Sequence, residues 1–380
     1  MNNIPFNAPE IAGQELRFVQ QAMHGHTSSG GPFSARAGEI LQAATGAREV
    51  MLTTSCTTAL ELSAMLLNLG PDDTVIVPSF TFTSSALAFA RQGAQIIFCD
   101  IEPVTLGLDP RHLATLLDDT VTAVVIVHYA GIACDLDAIT EVLADRPEVS
   151  LVEDAAHGLF GTHRGKPLGG FGRFASLSFH ETKNFVCGEG GALMLNDDQD
   201  IERARILYDK GTDRQAFFAG QVDKYSWRDN GSSFGMSDVL AAYLLGQLEQ
   251  ATSIQTRRRS VFERYAAALA GPADELGLRL PIIPDTCDAA YHLFYVLLPE
   301  AEMRAPVMAR MRELGVATAF HYVPLHDSQG GRRFRRSATD CPVSSDISAR
   351  LLRLPFFNTL TASQCDQVTS ALVSAVREVS

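Results

Sequence analysis

Lys183 stands between a short β-like run, Phe174 to Phe179, and the cluster Gly188-Glu189-Gly190-Gly191. Asp154 lies upstream in Val152-Glu153-Asp154-Ala155-Ala156-His157, directly after another apolar run. In a sheet buried on both faces, ligands collect at the carboxyl ends of the strands, so both side chains could reach one crevice. From position alone, Asp154 could equally be a helix cap or turn residue. Lys183 could be a surface charge, a phosphate ligand or a covalent catalyst. The two together suit pyridoxal phosphate. A lysine of lowered pKa can bond an aldehyde and serve as a base. A carboxylate beside the pyridinium nitrogen keeps that ring an electron sink. The phosphate then needs backbone N–H groups at a helix start, plus hydroxyls. Ser55-Cys56-Thr57-Thr58 offers both, although taken alone it is also an ordinary Ser/Thr cap.

The elements that must position these residues form a repeating pattern. Apolar β-rich runs occur at 49–52, 74–77, 95–99, 123–127, 150–153 and 192–195, with amphipathic stretches such as 57–69 and 110–119 between them. Continuous apolar strands alternating with helices predict an α/β fold with a large, mostly parallel sheet. A helical zone around 234–270 follows. The texture then changes to a β-like run at 290–298, a helix at about 303–314 and a strand at 316–322. This reads as a smaller C-terminal α+β domain. The expected division is 1–250 for the N-terminal arm and large domain, and 251–380 for the small one. The first 35 or so residues, with Gly30-Gly31-Pro32, read as an arm and a turn.

Bulk properties exclude several classes. A net charge of −13 over 380 residues argues against a nucleic-acid binder, which must neutralise phosphates. The basic runs Arg257–Arg259 and Arg332–Arg336 read as solvated faces. No apolar stretch approaches the roughly 20 residues that cross a bilayer, and the start has no signal-peptide pattern. The seven scattered cysteines lack a C-x-x-C pair, which fits free thiols in a reducing cytoplasm better than disulfides or a metal site. Gly170-Phe171-Gly172-Arg173-Phe174-Ala175 matches a dinucleotide fingerprint, but it opens a strand-like run instead of following one, so that reading is rejected.

Ser55–Leu60, Pro78–Phe82, Val127–Gly131, Glu153–His157, Ser178–Asn184, Gly188–Gly191 and His321–His326 occur in a fixed order along nearly the whole chain. As an ordered set they resemble the DegT/DnrJ/StrS family of sugar-nucleotide aminotransferases, with the aspartate aminotransferase (type I) fold. Phe179–Asn184 and Gln221–Asp229 look most like the dTDP-4-amino-4,6-dideoxygalactose transaminase branch, the WecE type.

That resemblance implies a set of roles. Lys183 would carry pyridoxal 5'-phosphate and shuttle a proton, Asp154 would pair with the pyridinium, Phe82 would stack on the ring, and His157 would lie near its phenolic oxygen. Cys56, Thr57 and Ser178 would hold the phosphate. Many relatives have Gly at the position of Cys56. Many also have Asn where Ser233 stands, reaching the phosphate of the neighbouring subunit in a homodimer with shared active sites. Tyr129, His180, Tyr322 and His326 are candidates for substrate contact, with His321 and His326 open between site and packing. Lys224, Tyr225, Trp227 and Arg228 mix cations and rings in a loop, which suits a nucleotide diphosphate and base, or else supplies core aromatics.

The implied reaction passes an amino group from L-glutamate, through pyridoxamine 5'-phosphate with release of 2-oxoglutarate, to C4 of a dTDP-4-keto-6-deoxyhexose, giving the galacto product. The gluco epimer is the alternative. Dehydratases resembling this chain have histidine in place of the lysine, so Lys183 counts against that chemistry. A non-catalytic sugar-nucleotide-binding regulator could lose Lys183 or Asp154, and both are present. No metal site is expected.

Overall fold

The structure, a computed structural model, describes residues 3–379. The central sheet is built from β1 (Glu49–Thr53), β2 (Thr74–Pro78), β3 (Gln95–Cys99), β4 (Val121–Val127) and β5 (Ser150–Asp154). After the two-residue strands β6 (Thr162–His163) and β7 (Lys166–Pro167), it is completed by β8 (Phe174–Ser178) and β9 (Gly191–Leu195). The order is β1-β9-β8-β5-β4-β2-β3. Strands β3, β2, β4, β5 and β8 pair in parallel, whereas β9 runs antiparallel to both β1 and β8. Each apolar run picked out in the sequence is one of these strands. The reversal at β9 has a consequence for Lys183. Antiparallel neighbours need no crossover helix, so residues 179–190 join β8 to β9 directly, as a loop at the sheet edge.

The remaining elements depart from expectation in four places. The first 35 residues are not only an arm. They include the helix Glu15–His24 and the start of the helix Pro32–Thr45, which has Pro32 in its first turn. The buried Glu15 carboxylate accepts from the Ala12 and Gly13 amides (2.6 and 2.7 Å) and from Gln247, tying the first helix down. The 234–270 zone is two helices, Asp238–Leu248 and Ala251–Leu276, the second continuing through Pro272. The 290–298 run shrinks to β11 (Tyr295–Leu297), after the short β10 (Cys287–Asp288), because the Ala290 and His292 amides bond the Gly131 and Ala130 carbonyls. Residues 316–322 form no strand. Only isolated bridges, Ile4 with Val316 and Ala319 with Arg353, are made there, and β11 pairs instead with β12 (Leu351–Arg353).

The rejected dinucleotide fingerprint has a physical explanation. Its loop does collect backbone N–H groups around an anion, but the anion belongs to the chain. The Glu153 carboxylate, fully buried on β5, accepts from the amides of Gly169, Phe171 and Gly172 (2.7, 2.6 and 2.6 Å) and bonds His128 Nε2 at 2.9 Å. Burial alone would raise its pKa, but the His128 and amide bonds outweigh that and hold it below the usual glutamate value. Glu153→Gln places an amide NH₂ among donors. It is expected to lower stability by about 3 kcal/mol, measured as a shift of the urea midpoint.

Candidate active site

The carboxyl ends of β1, β5 and β8 and the turn after β2 open onto one cavity of about 470 Å³, closed from the other side by His292, His321, Tyr322 and Arg353. At the end of β1, Ser55 caps the helix Cys56–Leu66 in a reciprocal box with Thr58. Cys56 and Thr57, in its first turn, lie in the cavity wall. The first amides of a helix lack intrahelical acceptors and suit an anion. Thr57 and Ser84 share a 2.7 Å hydroxyl contact on the same wall. Burial, with Asp154 adding to it, pushes the Cys56 thiol up to about 12, so it stays protonated and donates to Ser176 Oγ at 3.4 Å.

Asp154 is buried at the end of β5. Its Oδ2 accepts from Ser85 Oγ at 2.7 Å, and Ser85 Oγ in turn shares a 2.8 Å contact with Thr81 Oγ1. Its Oδ1 accepts from the Ala156 amide at 3.1 Å. The carboxylate is thereby aimed into the cavity as an oriented acceptor. Lys183 reaches the same cavity from the β8–β9 loop, and burial lowers its pKa to about 8, despite the opposing pull of Cys56 and Asp154. A lysine whose amine is freed at about pH 8, well below the usual lysine value, and a fixed carboxylate thus share one chamber. Phe82, 59% exposed, presents its ring at that chamber.

Behind them lies a set of neutral rings. His157 stacks on His292 (centroids 4.0 Å apart, 19° between planes), and burial holds both far below the ordinary histidine pKa. His292 Nδ1 lies 2.8 Å from Asn184 Oδ1, and Asn184 Nδ2 donates to the Ala290 carbonyl. The residue next to Lys183 is therefore pinned to the C-terminal part of the chain. His157 Nδ1 is buried without a hydrogen-bond partner.

Of the residues singled out in the sequence, Lys183, Asp154, His157, Phe82, Cys56, Thr57, Ser178, His180 and Tyr322 line this cavity. Tyr129 is fully buried behind the wall, its hydroxyl 3.1 Å from His321 Nδ1. His326 is not in the lining. It is buried against Ser79, Nδ1 to Oγ 2.6 Å, where it anchors the turn after β2, and His321 takes the place at the cavity. Ser233, Lys224, Tyr225, Trp227 and Arg228 are exposed and outside the cavity of their own chain, with Trp227 81% exposed. Sequence reading missed Ser85, His292 and Arg353, and left His321, which the structure puts in the cavity wall, open between site and packing. A signal existed for Arg353 alone: an arginine inside the apolar run Leu351-Leu352-Arg353-Leu354, where a charge requires a partner.

The donor set fits pyridoxal phosphate on structural grounds. It combines a lysine of lowered pKa, an oriented carboxylate in the same cavity, a helix start with hydroxyls for a phosphate, and an orphaned buried imidazole nitrogen able to meet a polar ring substituent. Comparison with known proteins agrees. The sequence profile of the DegT/DnrJ/EryC1/StrS aminotransferase family matches residues 9–373. The chain belongs to that family. The spore coat polysaccharide biosynthesis protein SpsC of Bacillus subtilis (strain 168) is 29% identical over 384 residues, covering 99% of this chain and 97% of SpsC. The sugar aminotransferase Spr1654 from Streptococcus pneumoniae, in its PMP form, superimposes with a TM-score of 0.92 at 26% identity over 100% of both chains. The aminotransferase TlmJ from Streptoalloteichus hindustanus gives 0.91 at 29% identity, again over 100% of both chains. The protein is a pyridoxal-phosphate-dependent sugar aminotransferase with an α/β fold.

Proposed function

We propose that this aminotransferase moves the amino group of L-glutamate to C4 of a dTDP-4-keto-6-deoxyhexose and forms the 4-amino-4,6-dideoxygalactose product. The observation that carries the amine-transfer chemistry is Lys183, its pKa lowered to about 8, in one cavity with the oriented Asp154 carboxylate. The sugar and its stereochemistry rest on the likeness of Phe179–Asn184 and Gln221–Asp229 to the WecE-type branch.

When bound, pyridoxal phosphate supplies an electrophilic carbon and an electron sink for the carbanion that amine transfer requires. Asp154, fixed by Ser85 and the Ala156 amide, would keep the ring nitrogen protonated. The first turn of the helix Cys56–Leu66, with Thr57 and Ser178, would hold the phosphate. Phe82 would stack on the ring, and His157 would offer its free nitrogen to the phenolic oxygen. The Lys183 amine takes the proton from the donor Cα and later delivers one to sugar C4. The face from which Nζ delivers that proton sets the galacto or gluco outcome. An NMR assignment of C4 in the product made from dTDP-4-keto-6-deoxyglucose and glutamate tests this reading, and an equatorial amine would refute the galacto assignment. The amine form of Lys183 is the nucleophile, so reconstitution of apoprotein with the cofactor should accelerate as pH rises and level off above about pH 8.

We further propose a homodimer whose cavities are shared. Supporting this are the exposed Phe218 (74% exposed), at the end of the short helix Arg214–Phe218, and the loop after it with Tyr225 and Trp227, together with the exposed Ser233, all outside the cavity of their own chain. In the dimer, Ser233 would touch the partner's phosphate site, and Lys224 to Arg228 would touch the nucleotide. Two inactive variants should then complement. Mixing Lys183→Ala with a Ser233/Trp227 double alanine variant, after exchange of subunits, should restore roughly a quarter of wild-type activity, because each hybrid has one intact site. No recovery would place those residues away from the shared site. The division at residues 250 and 251 is retained as the boundary between cofactor-binding and small domains, and the reducing cytoplasm as the place of action.

A further inference from the structure

Arg258, on the helix Ala251–Leu276, is buried outside the cofactor cavity, and no carboxylate pairs with it among the described residues. Burial pushes its pKa down to about 9. A guanidinium without a counter-ion is costly to bury, so the groups it does bind carry the explanation. Nε donates to the Tyr291 carbonyl at 2.9 Å, Nη2 to the His292 carbonyl at 2.5 Å and Nη1 to Asn358 Oδ1 at 2.8 Å.

The clamped turn is one that would not hold itself. Tyr291 has a φ of 50°, a left-handed conformation that bulky residues keep only where their surroundings impose it. It docks on a second left-handed turn, after β4, in which Ala130 and Gly131 have φ of 60° and 82°. The Ala290 and His292 amides donate to the Gly131 and Ala130 carbonyls at 2.8 and 3.1 Å. A Cβ on Gly131 would stand 2.8 Å from the His157 carbonyl and 2.9 Å from Ala290 Cβ, so the two turns interlock beside His157.

The contacts of this turn end at the reacting groups. Asn184 Nδ2 donates to the Ala290 carbonyl at 2.7 Å, which leaves Oδ1 to accept from His292 Nδ1 at 2.8 Å. His292 is therefore the neutral Nδ1–H tautomer, with its ring plane fixed. Asn184 adjoins Lys183 in the chain, and the His292 ring stacks on His157. We propose that Arg258 is a positioning residue for amine transfer. By clamping the 290–292 turn it fixes His292, which sets the Lys183 loop through Asn184 and the His157 ring through the stack. The inference rests on the assignment of Lys183 and His157 to the cofactor above.

The test is a double-mutant cycle on holoenzyme between Arg258→Met and His292→Phe, the second of which keeps a ring for the stack but cannot donate to Asn184. Each single variant is expected to slow the glutamate half-reaction at saturation roughly 30-fold, because small misplacements of reacting groups are expensive in rate. In Arg258→Met the half-saturating glutamate concentration should move less than about threefold. The two substitutions together should lose little more than either alone, since both break one chain of contacts. Arg258→Lys, which keeps a donor for the carbonyls, should recover part of the rate. The pH midpoint of the lysine-bound cofactor absorbance should shift by roughly one unit in Arg258→Met, while urea unfolding follows stability separately. Losses that multiply in the double variant overturn the proposal, as does a lowered urea midpoint with unchanged rate and absorbance titration, which would leave Arg258 a packing residue. If Arg258→Met does not fold, Arg258→Lys takes its place in the cycle and is read the same way. A wild type without the borohydride-sensitive band overturns the cofactor assignment and the positioning role together. A band and rate shared by wild type and Arg258→Met overturn the positioning role alone.

Discussion

Lys183→Ala is expected to lower glutamate-dependent turnover by roughly 10⁴-fold or more, because on the proposed mechanism one side chain would act both as covalent anchor and as proton shuttle. The same variant should lose the borohydride-sensitive absorbance of the lysine-bound cofactor while still binding the cofactor phosphate. The two readouts separate the roles. A variant that loses the band but keeps turnover would show that another group moves the proton. One that keeps both would remove Lys183 from the chemistry. Among the described residues Lys183 is the only lysine in the cavity wall, and burial lowers its pKa to about 8. The histidines around it cannot substitute as bases of suitable strength. Burial drives His157, His292 and His321 far below the ordinary histidine pKa, which leaves them too weakly basic to hold a proton taken from carbon.

The second large effect belongs to Asp154. Asp154→Asn preserves size and can still accept from Ser85, but it removes the negative charge that, on the proposed mechanism, would keep a pyridinium protonated. A buried charge interaction of this kind is worth several kcal/mol, so kcat should fall roughly 10³-fold. The defect should appear in both half-reactions, since each needs the electron sink. Ser85→Ala leaves the charge and removes only its 2.7 Å hydrogen bond, so a loss nearer tenfold is expected. Similar losses in the two variants would mean that orientation of the carboxylate matters more than its charge.

Much of this was legible in the sequence, for a physical reason. Parallel strands covered on both faces are continuous apolar runs, so the sheet could be read from composition along the chain, and its ligand edge followed from topology. Lys183, Asp154 and Cys56 sit directly at strand ends or just beyond them, where that rule applies. What escaped is what tertiary contact alone creates. Ser85 matters because a helix turns it onto Asp154. His292 matters because two carbonyls of the β4 turn pin its segment beside Asn184. His326 looked equivalent to His321 in the same motif, yet a bond to Ser79 holds it away from the cavity. Periodicity also could not tell β9 from its neighbours, since an antiparallel strand in the middle of a buried sheet is as apolar as a parallel one.

The adjacent acids of β5 carry a further implication for how this gene can vary. Successive strand residues face opposite ways, and here Glu153 holds the 169–172 loop while Asp154 faces the cavity. Inserting or deleting one residue inside Ser150–Asp154 would exchange their faces, setting the loop's anchor in the cavity and the cavity's acid against the loop amides. Such frame-preserving length changes should be eliminated from a library at β5 even when the net composition is unchanged. The exposed residues just before it, Pro147 and Glu148, should accept them far more readily.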